Sequence, residues 1–146
     1  MKLTFLGTNG WFDSSTGNTP SAVLETQNYN IIFDAGFGLA KADTVLNPDK
    51  PTFLFLSHFH IDHICGLHAL PKLNFKQPLT IFGRKDLKKL FKTVINYPYS
   101  APISFLNYKV NLVPLKEGSY TKPFSFVCKQ LKHANTSLGY RIQVDG

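Results

Sequence analysis

Three of the chain's five histidines and one of its nine carboxylates fall within Ser57-His58-Phe59-His60-Ile61-Asp62-His63. Imidazoles and a carboxylate at this density suit a metal site. His58 and His60 are two apart, so in extended backbone both side chains point to the same side. Asp62 and His63 follow as the chain turns away. A catalytic zinc takes about three protein ligands and leaves one position for water. His58 and His60 can supply two, and His133 is the candidate for the third. Asp62 and His63 are then left over, either as partners that orient the ligands or as the start of a second metal site that needs further ligands. The chemistry in view is hydrolysis by metal-bound hydroxide, with Asp62 the best candidate to manage the proton. Nitrogen and oxygen donors favour zinc, while manganese and iron fit the same set.

The elements that must position these groups are strand ends. Thr52-Phe53-Leu54-Phe55-Leu56 is a continuous apolar run and reads as a buried strand leading into His58. His133 follows an apolar run over 124–131 and opens a polar loop over 132–140. Two strand-end loops meeting at one edge of a sheet would bring His58, His60 and His133 together. Asp34 ends another strand, 30–33, just before Gly36 and Gly38. It either accepts hydrogen bonds from the histidine loop or simply forms a turn.

Further strands are expected at 2–6, 21–26, 79–82, 103–106, 108–113 and 140–144, with 21–26 and 30–33 forming a hairpin. Short helices are expected at 39–46 and at 64–70, the latter ended by Pro71. His68 there reads as a packed or exposed helical residue. The clearest helix places Leu87, Leu90, Phe91, Val94 and Ile95 on one face. Lys85, Lys88, Lys89 and Lys92 recur on its other side, either as a solvated face or as a guide for phosphate-bearing substrates. The long polar loop from Gly7 to Pro20 is either functional or a plain surface connection.

At 146 residues the chain fits one domain, 1–146. Thirteen Phe and six Tyr make it β-leaning. A net charge of +7 favours an anionic partner such as a phosphate ester or nucleic acid. No apolar run approaches the ~20 residues of a membrane-spanning helix, and residues 1–7 are too short an apolar stretch for a signal peptide. Cytoplasmic residence is the default expectation, with no membrane partner. A homodimer is left open. Cys65 and Cys128 form no spacing motif and read as small buried thiols in a reducing compartment, with a metal role for Cys65 open through its closeness to His63.

On these residues the chain resembles the metallo-β-lactamase-fold hydrolases. Their HxHxDH signature is matched in full by His58, His60, Asp62 and His63. Phe5-Leu6-Gly7-Thr8 and Ile31-Ile32-Phe33-Asp34-Ala35-Gly36 resemble that family too. His133 followed by Gly139-Tyr140-Arg141-Ile142 resembles the next ligand motif of ribonuclease Z-like enzymes and related phosphodiesterases. The resemblance implies an α/β fold, a four-layer αββα sandwich with a mixed sheet and flanking helices, of which this chain is the N-terminal half. It implies two zinc ions in the complete protein, the first held by His58, His60 and His133, the second in part by Asp62 and His63.

The family's bridging aspartate and last histidine should lie after Gly139-Tyr140, whereas the sequence ends at Gly146 after the turn-forming pair Asp145-Gly146. A strand at 140–144 is thereby left without a returning partner, and the chain reads as truncated at a turn. The expected function is a metal-dependent hydrolase of phosphodiester bonds, acting on RNA or a small cyclic phosphate, though this chain alone would be inactive if incomplete. The loop after the first strand lacks the basic, proline-containing pattern expected of ribonuclease Z, which argues against tRNA processing. The alternatives are a hydrolase of another ester, a thioester or a lactam, and a non-catalytic metal- or nucleic-acid-binding module.

Overall fold

The computed structural model describes residues 1–133 and 136–144. Six strands form one mixed sheet in sequence order: β1 (Lys2–Gly7), β2 (Ser21–Glu25), β3 (Asn30–Phe33), β4 (Thr52–Phe55), β5 (Leu79–Gly83) and β6 (Val110–Pro114). β1 to β3 run antiparallel, and β3 to β6 run parallel through helical crossovers. A second sheet, antiparallel throughout, holds β7 (Gly118–Tyr120), β8 (Ser125–Leu131) and β9 (Ser137–Gln143).

β4 is buried along its whole length because both faces of the first sheet are covered. Its side chains alternate accordingly. Leu54 and Leu56 join a core with Leu39, Leu67, Leu70, Leu87, Leu90 and Phe91 from the helical segments. Phe53 and Phe55 face the second sheet, against Phe124, Phe126, Cys128 and Leu138. Phe55 is the hub of that interface, with ring centroids 4.7 Å from Phe82, 5.0 Å from Tyr140 and 5.3 Å from Phe126. The layers are therefore helix, sheet, sheet. A helical layer on the outer face of the second sheet is absent among the described residues, which hold three of the four layers of an αββα sandwich.

The helices are shorter and tighter than their sequences suggest. The segment expected at 39–46 is a 3₁₀ helix over Phe37–Thr44. α1 (Ile61–Ile64) lasts one turn and continues as a 3₁₀ helix, Cys65–Lys72, that runs through Pro71 rather than stopping before it. Gly66 explains the change of pitch, because its N–H donates to the Ala35 carbonyl at 2.8 Å instead of to the preceding helical turn. α2 (Leu87–Thr93) is the expected amphipathic helix, though it ends before Val94, which is exposed rather than on the buried face, and it leaves Lys88, Lys89 and Lys92 exposed.

Residues 103–106 are not a strand. Ile103–Phe105 is a 3₁₀ turn that packs Ile103 and Leu106, three apart, onto the helical side of the core. β7 was not legible in advance. β9 begins at Ser137, before the expected 140, and pairs with β8 along its length, so only its far edge is open. The turn expected at Asp145-Gly146 lies outside the described residues. No helix among those described is long and apolar enough to cross a membrane.

Phe55 is 1% exposed and touches aromatic rings from both sheets. Phe55→Ala should therefore cost about 4 kcal/mol, measured as a drop in the denaturant midpoint at constant m-value.

Candidate metal centre

The site sits where β3 and β4 end side by side. Asp34 leaves β3 with a left-handed backbone, φ 55°, a conformation that Asp tolerates better than most residues. Its N–H donates to the Phe55 carbonyl at 2.9 Å, which keeps it on the sheet edge. Its carboxylate gathers the next strand's exit. Oδ1 accepts the Ser57 N–H at 2.7 Å, Oδ2 accepts the Ser57 hydroxyl at 2.8 Å, and the same Oδ2 lies 2.9 Å from His63 Nδ1. The sequence reading that Asp34 orients the histidine loop is the one the structure realises.

These bonds set the imidazole tautomers. With its proton given to Asp34, the Ser57 oxygen can accept from His58 Nδ1, 2.9 Å away. That leaves His58 Nε2 with a free lone pair, the form a metal ligand requires. His63 donates from Nδ1 to Asp34, and its Nε2 lies 3.5 Å from Asp62 Oδ2. Asp62 Oδ2 in turn accepts the Trp11 N–H at 3.0 Å, from the long loop after β1.

His133 arrives from the other sheet, just beyond β8. Thr136 and β9, which follow it in the chain, are fixed to the first sheet by three bonds: Leu138 N–H to the Ser57 carbonyl at 2.8 Å, the Tyr140 hydroxyl to the Leu56 carbonyl at 2.8 Å, and Arg84 to the Thr136 carbonyl at 3.2 Å. Arg84 is itself held by Asp86 and lies over the Phe59 ring, 5.1 Å from its centroid. The result is that His58, His60 and His133 each offer a ligand atom within 4.8 Å of the others. His58 is buried, His60 half-buried and His133 exposed, so the cluster opens to solvent on one side.

The turn behind the cluster needs glycine. A Cβ on Gly66 would run into the carbonyls of Gly36 and Ala35, and one on Gly36 into the Asp62 carbonyl. That contact lets the Asp34–Gly36 turn lie flat against α1, where Ala35 N–H also donates to the His63 carbonyl at 2.9 Å.

Electrostatics separate the two kinds of histidine. Burial, reinforced by repulsion from His63, pushes His58 down to about 4, so it stays neutral and ready to ligate across the physiological range. Burial also works against the proton on His63, but the hydrogen bond and charge of Asp34 outweigh it and raise the group above its ordinary value. An all-imidazole triad with a neutral buried member and a polarised neighbour fits a borderline divalent cation.

The structure places the other expected residues plainly. Asp62 and His63 lie beside the triad but outside it. His68 is exposed, 5.8 Å from the Phe37 ring, and belongs to no metal-ligating cluster among the described residues. Cys65 lies near the Thr19 hydroxyl at 3.6 Å and is no member of the triad. Ser57, Trp11 and Arg84 were not foreseen as site residues. Ser57 had a signal, since it links the strand to His58. The other two act through contacts 51 and 52 residues away in sequence, which no local pattern carries.

Residues 15–80 match the family described as the Metallo-beta-lactamase superfamily. Over 146 residues the chain is 32% identical to the ribonuclease Z of Pyrococcus abyssi, covering 96% of this chain and 47% of that protein. The chain thus spans about half the length of the curated relatives it matches. Human tRNase Z, short form, superposes with a TM-score of 0.75 at 23% identity, over 96% of this chain and 62% of that one. The metallo-β-lactamase fold protein YhfI from Bacillus subtilis gives 0.72 at 21%, over 97% and 57%. These two likenesses establish the fold.

Asp34→Asn tests the hub. In the metal-free protein the Asp34–His63 pair contributes stability fully below the ordinary histidine value of 6.5 and loses it as pH rises through the raised folded value. Asn at position 34 should return the His63 titration, read by imidazole NMR, toward or below 6.5 and flatten that arm of the stability profile. It should also weaken divalent-metal affinity roughly 10–100-fold.

Proposed function

We propose that this chain is a member of the metallo-β-lactamase superfamily and the metal-ligating part of a hydrolase that cleaves phosphodiester bonds, with RNA as the substrate class. The observation that carries the reading is the His58–His60–His133 triad, ligand atoms within 4.8 Å, with the Asp62–His63 pair beside it. Its relatives named ribonuclease Z and the net charge of +7 favour a phosphate-bearing polymer over a lactam or thioester.

His58, His60 and His133 would hold one divalent ion, zinc by donor type. Asp62 Oδ2 and His63 Nε2, 3.5 Å apart, would hold part of a second in the complete protein. Bound there, such an ion lowers the pKa of its water and polarises the phosphate oxygens. The chain's own residues do the rest. Ser57 and Asp34 fix the His58 tautomer so that Nε2 keeps its lone pair and would be free to hold the ion. Asp34 keeps a proton on His63 Nδ1 and so directs Nε2 to ligation. Asp62, with Oδ2 steadied by the Trp11 N–H, would hold the transferred proton at Oδ1. The open side of the triad, at exposed His133, is where an extended substrate would enter.

We further propose that the chain is the N-terminal part of a longer domain, that the remaining ligands lie beyond it, and that the protein works in the cytoplasm. The chain spans about half of its relatives, and among the described residues one cluster of three histidines offers ligand atoms for an ion. Metal titration of this chain alone should give one ion bound. Two ions with full turnover would overturn the incompleteness. On the complete protein, bis(p-nitrophenyl) phosphate should be hydrolysed while nitrocefin and a thioester are not. Activity on the last two alone would overturn the substrate class. His58→Ala and His133→Ala should each cost more than the roughly 10–100-fold that an outer partner costs, with loss of bound metal.

A further inference from the structure

Trp11 is the chain's single tryptophan, and it stands out in three ways. Its backbone is left-handed, φ 66°, which is uncommon for a bulky side chain. The residue is 78% exposed, although burial is the usual fate of so large an apolar side chain. And it lies at the triad, with its ring 21° from the plane of His60, centroids 6.1 Å apart, and its backbone N–H donating to Asp62.

The loop that carries it is built to hold this pose. Asn9 N–H donates to the Asn18 carbonyl at 3.0 Å, and the Asn9 amide donates to the Gly17 carbonyl at 2.9 Å. Thr19 N–H donates to Asp13 at 2.6 Å. Neighbouring apolar groups are displayed as well. Phe12 is 75% exposed, and Ile61, between His60 and Asp62 in sequence, is 70% exposed. Backbone strain that the surrounding structure over-determines, beside a reactive centre, marks a surface made for a ligand.

We infer that Trp11 is a stacking platform for the nucleobase next to the scissile phosphate. The inference rests on the phosphodiesterase reading above and names the part of the substrate that this side of the site recognises. The chemistry of the loop selects the occupant. Residues 8–20 contain no Lys or Arg and one Asp, so the loop brings no cationic side chain to a phosphate. What it offers is a planar π-face within one ring's reach of the metal ligands. A phosphate ester that also carries a flat aromatic group satisfies both sides, and a nucleotide is that ester. Every base has a π-face, so the platform tolerates any sequence but requires an unpaired, unstacked base. Duplex nucleic acid would not fit it.

Fluorescence of the lone tryptophan gives a test that needs no turnover. The zinc-supplemented protein is titrated with AMP and with ribose 5-phosphate, which has the same phosphate and sugar but no base. AMP should quench Trp11 and bind about tenfold more tightly than ribose 5-phosphate, the size of one base–aromatic stack. Calorimetry on Trp11→Ala should show that advantage gone and ribose 5-phosphate affinity unchanged, and Trp11→Phe should recover most of it. Equal affinities for the two ligands, an advantage that persists in Trp11→Ala, or binding of neither would overturn the inference. Base-dependent quenching in a protein that never hydrolyses bis(p-nitrophenyl) phosphate would uphold the platform and sink the hydrolase reading. Hydrolysis without base preference would do the reverse.

Discussion

The Asp34 carboxylate is the interaction on which the site depends. It accepts the Ser57 N–H and hydroxyl and engages His63, and so ties the ends of β3 and β4 to the turn that follows. Backbone donors and a hydroxyl would satisfy any carboxylate. What makes this one organising is that each bond also fixes a neighbour's chemistry. The Ser57 hydroxyl oxygen is oriented to accept a hydrogen bond from His58 Nδ1–H, and His63 Nδ1–H donates to the carboxylate itself. One carboxylate therefore selects two tautomers, and both selections free an Nε2. The left-handed backbone at Asp34 and the bare Cα atoms of Gly36 and Gly66 are the local conditions for it.

Electrostatics then divide labour without further groups. His58, buried among other imidazoles, sheds its proton readily, while His63, beside two carboxylates, keeps one. The same seven residues thus contain one histidine tuned for neutrality and one tuned for a hydrogen-bonded partnership. Sequence spacing alone cannot distinguish them. The distinction comes from which strand end each ring faces.

Much of this architecture was readable in advance, for physical reasons. β4 declared itself as an uninterrupted apolar run because it is covered on both faces, and the α2 face declared itself by its 3.6-residue period. The convergence of His58, His60 and His133 was legible because imidazoles are rare and strand ends are where they can meet. The misses share a cause. Ile103 and Leu106 looked like strand residues by composition, but what fixed them was packing three apart onto the core. The α1 turn tightened to 3₁₀ because Gly66 bonds to a strand end 31 positions earlier, at Ala35. Trp11 and Arg84 act across more than 50 residues. Local patterns report periodicity and propensity, whereas these features belong to tertiary contact.

His58 and His60 hang from the first sheet and His133 from the second, and between the sheets lies a layer of Phe53, Phe55, Phe82, Phe124 and Phe126. That layer acts as a gauge block. Ring thickness and tilt set the spacing of the two sheets, and the spacing sets how far His133 stands from its partners. A functional constellation tolerates errors of only about 0.5 Å, so the aromatic core is constrained twice, once by close packing and again by the separation of the three imidazoles it maintains. An isovolumetric repacking that left stability untouched could still mistune the centre, which gives these phenylalanines a functional tolerance far narrower than their burial alone implies.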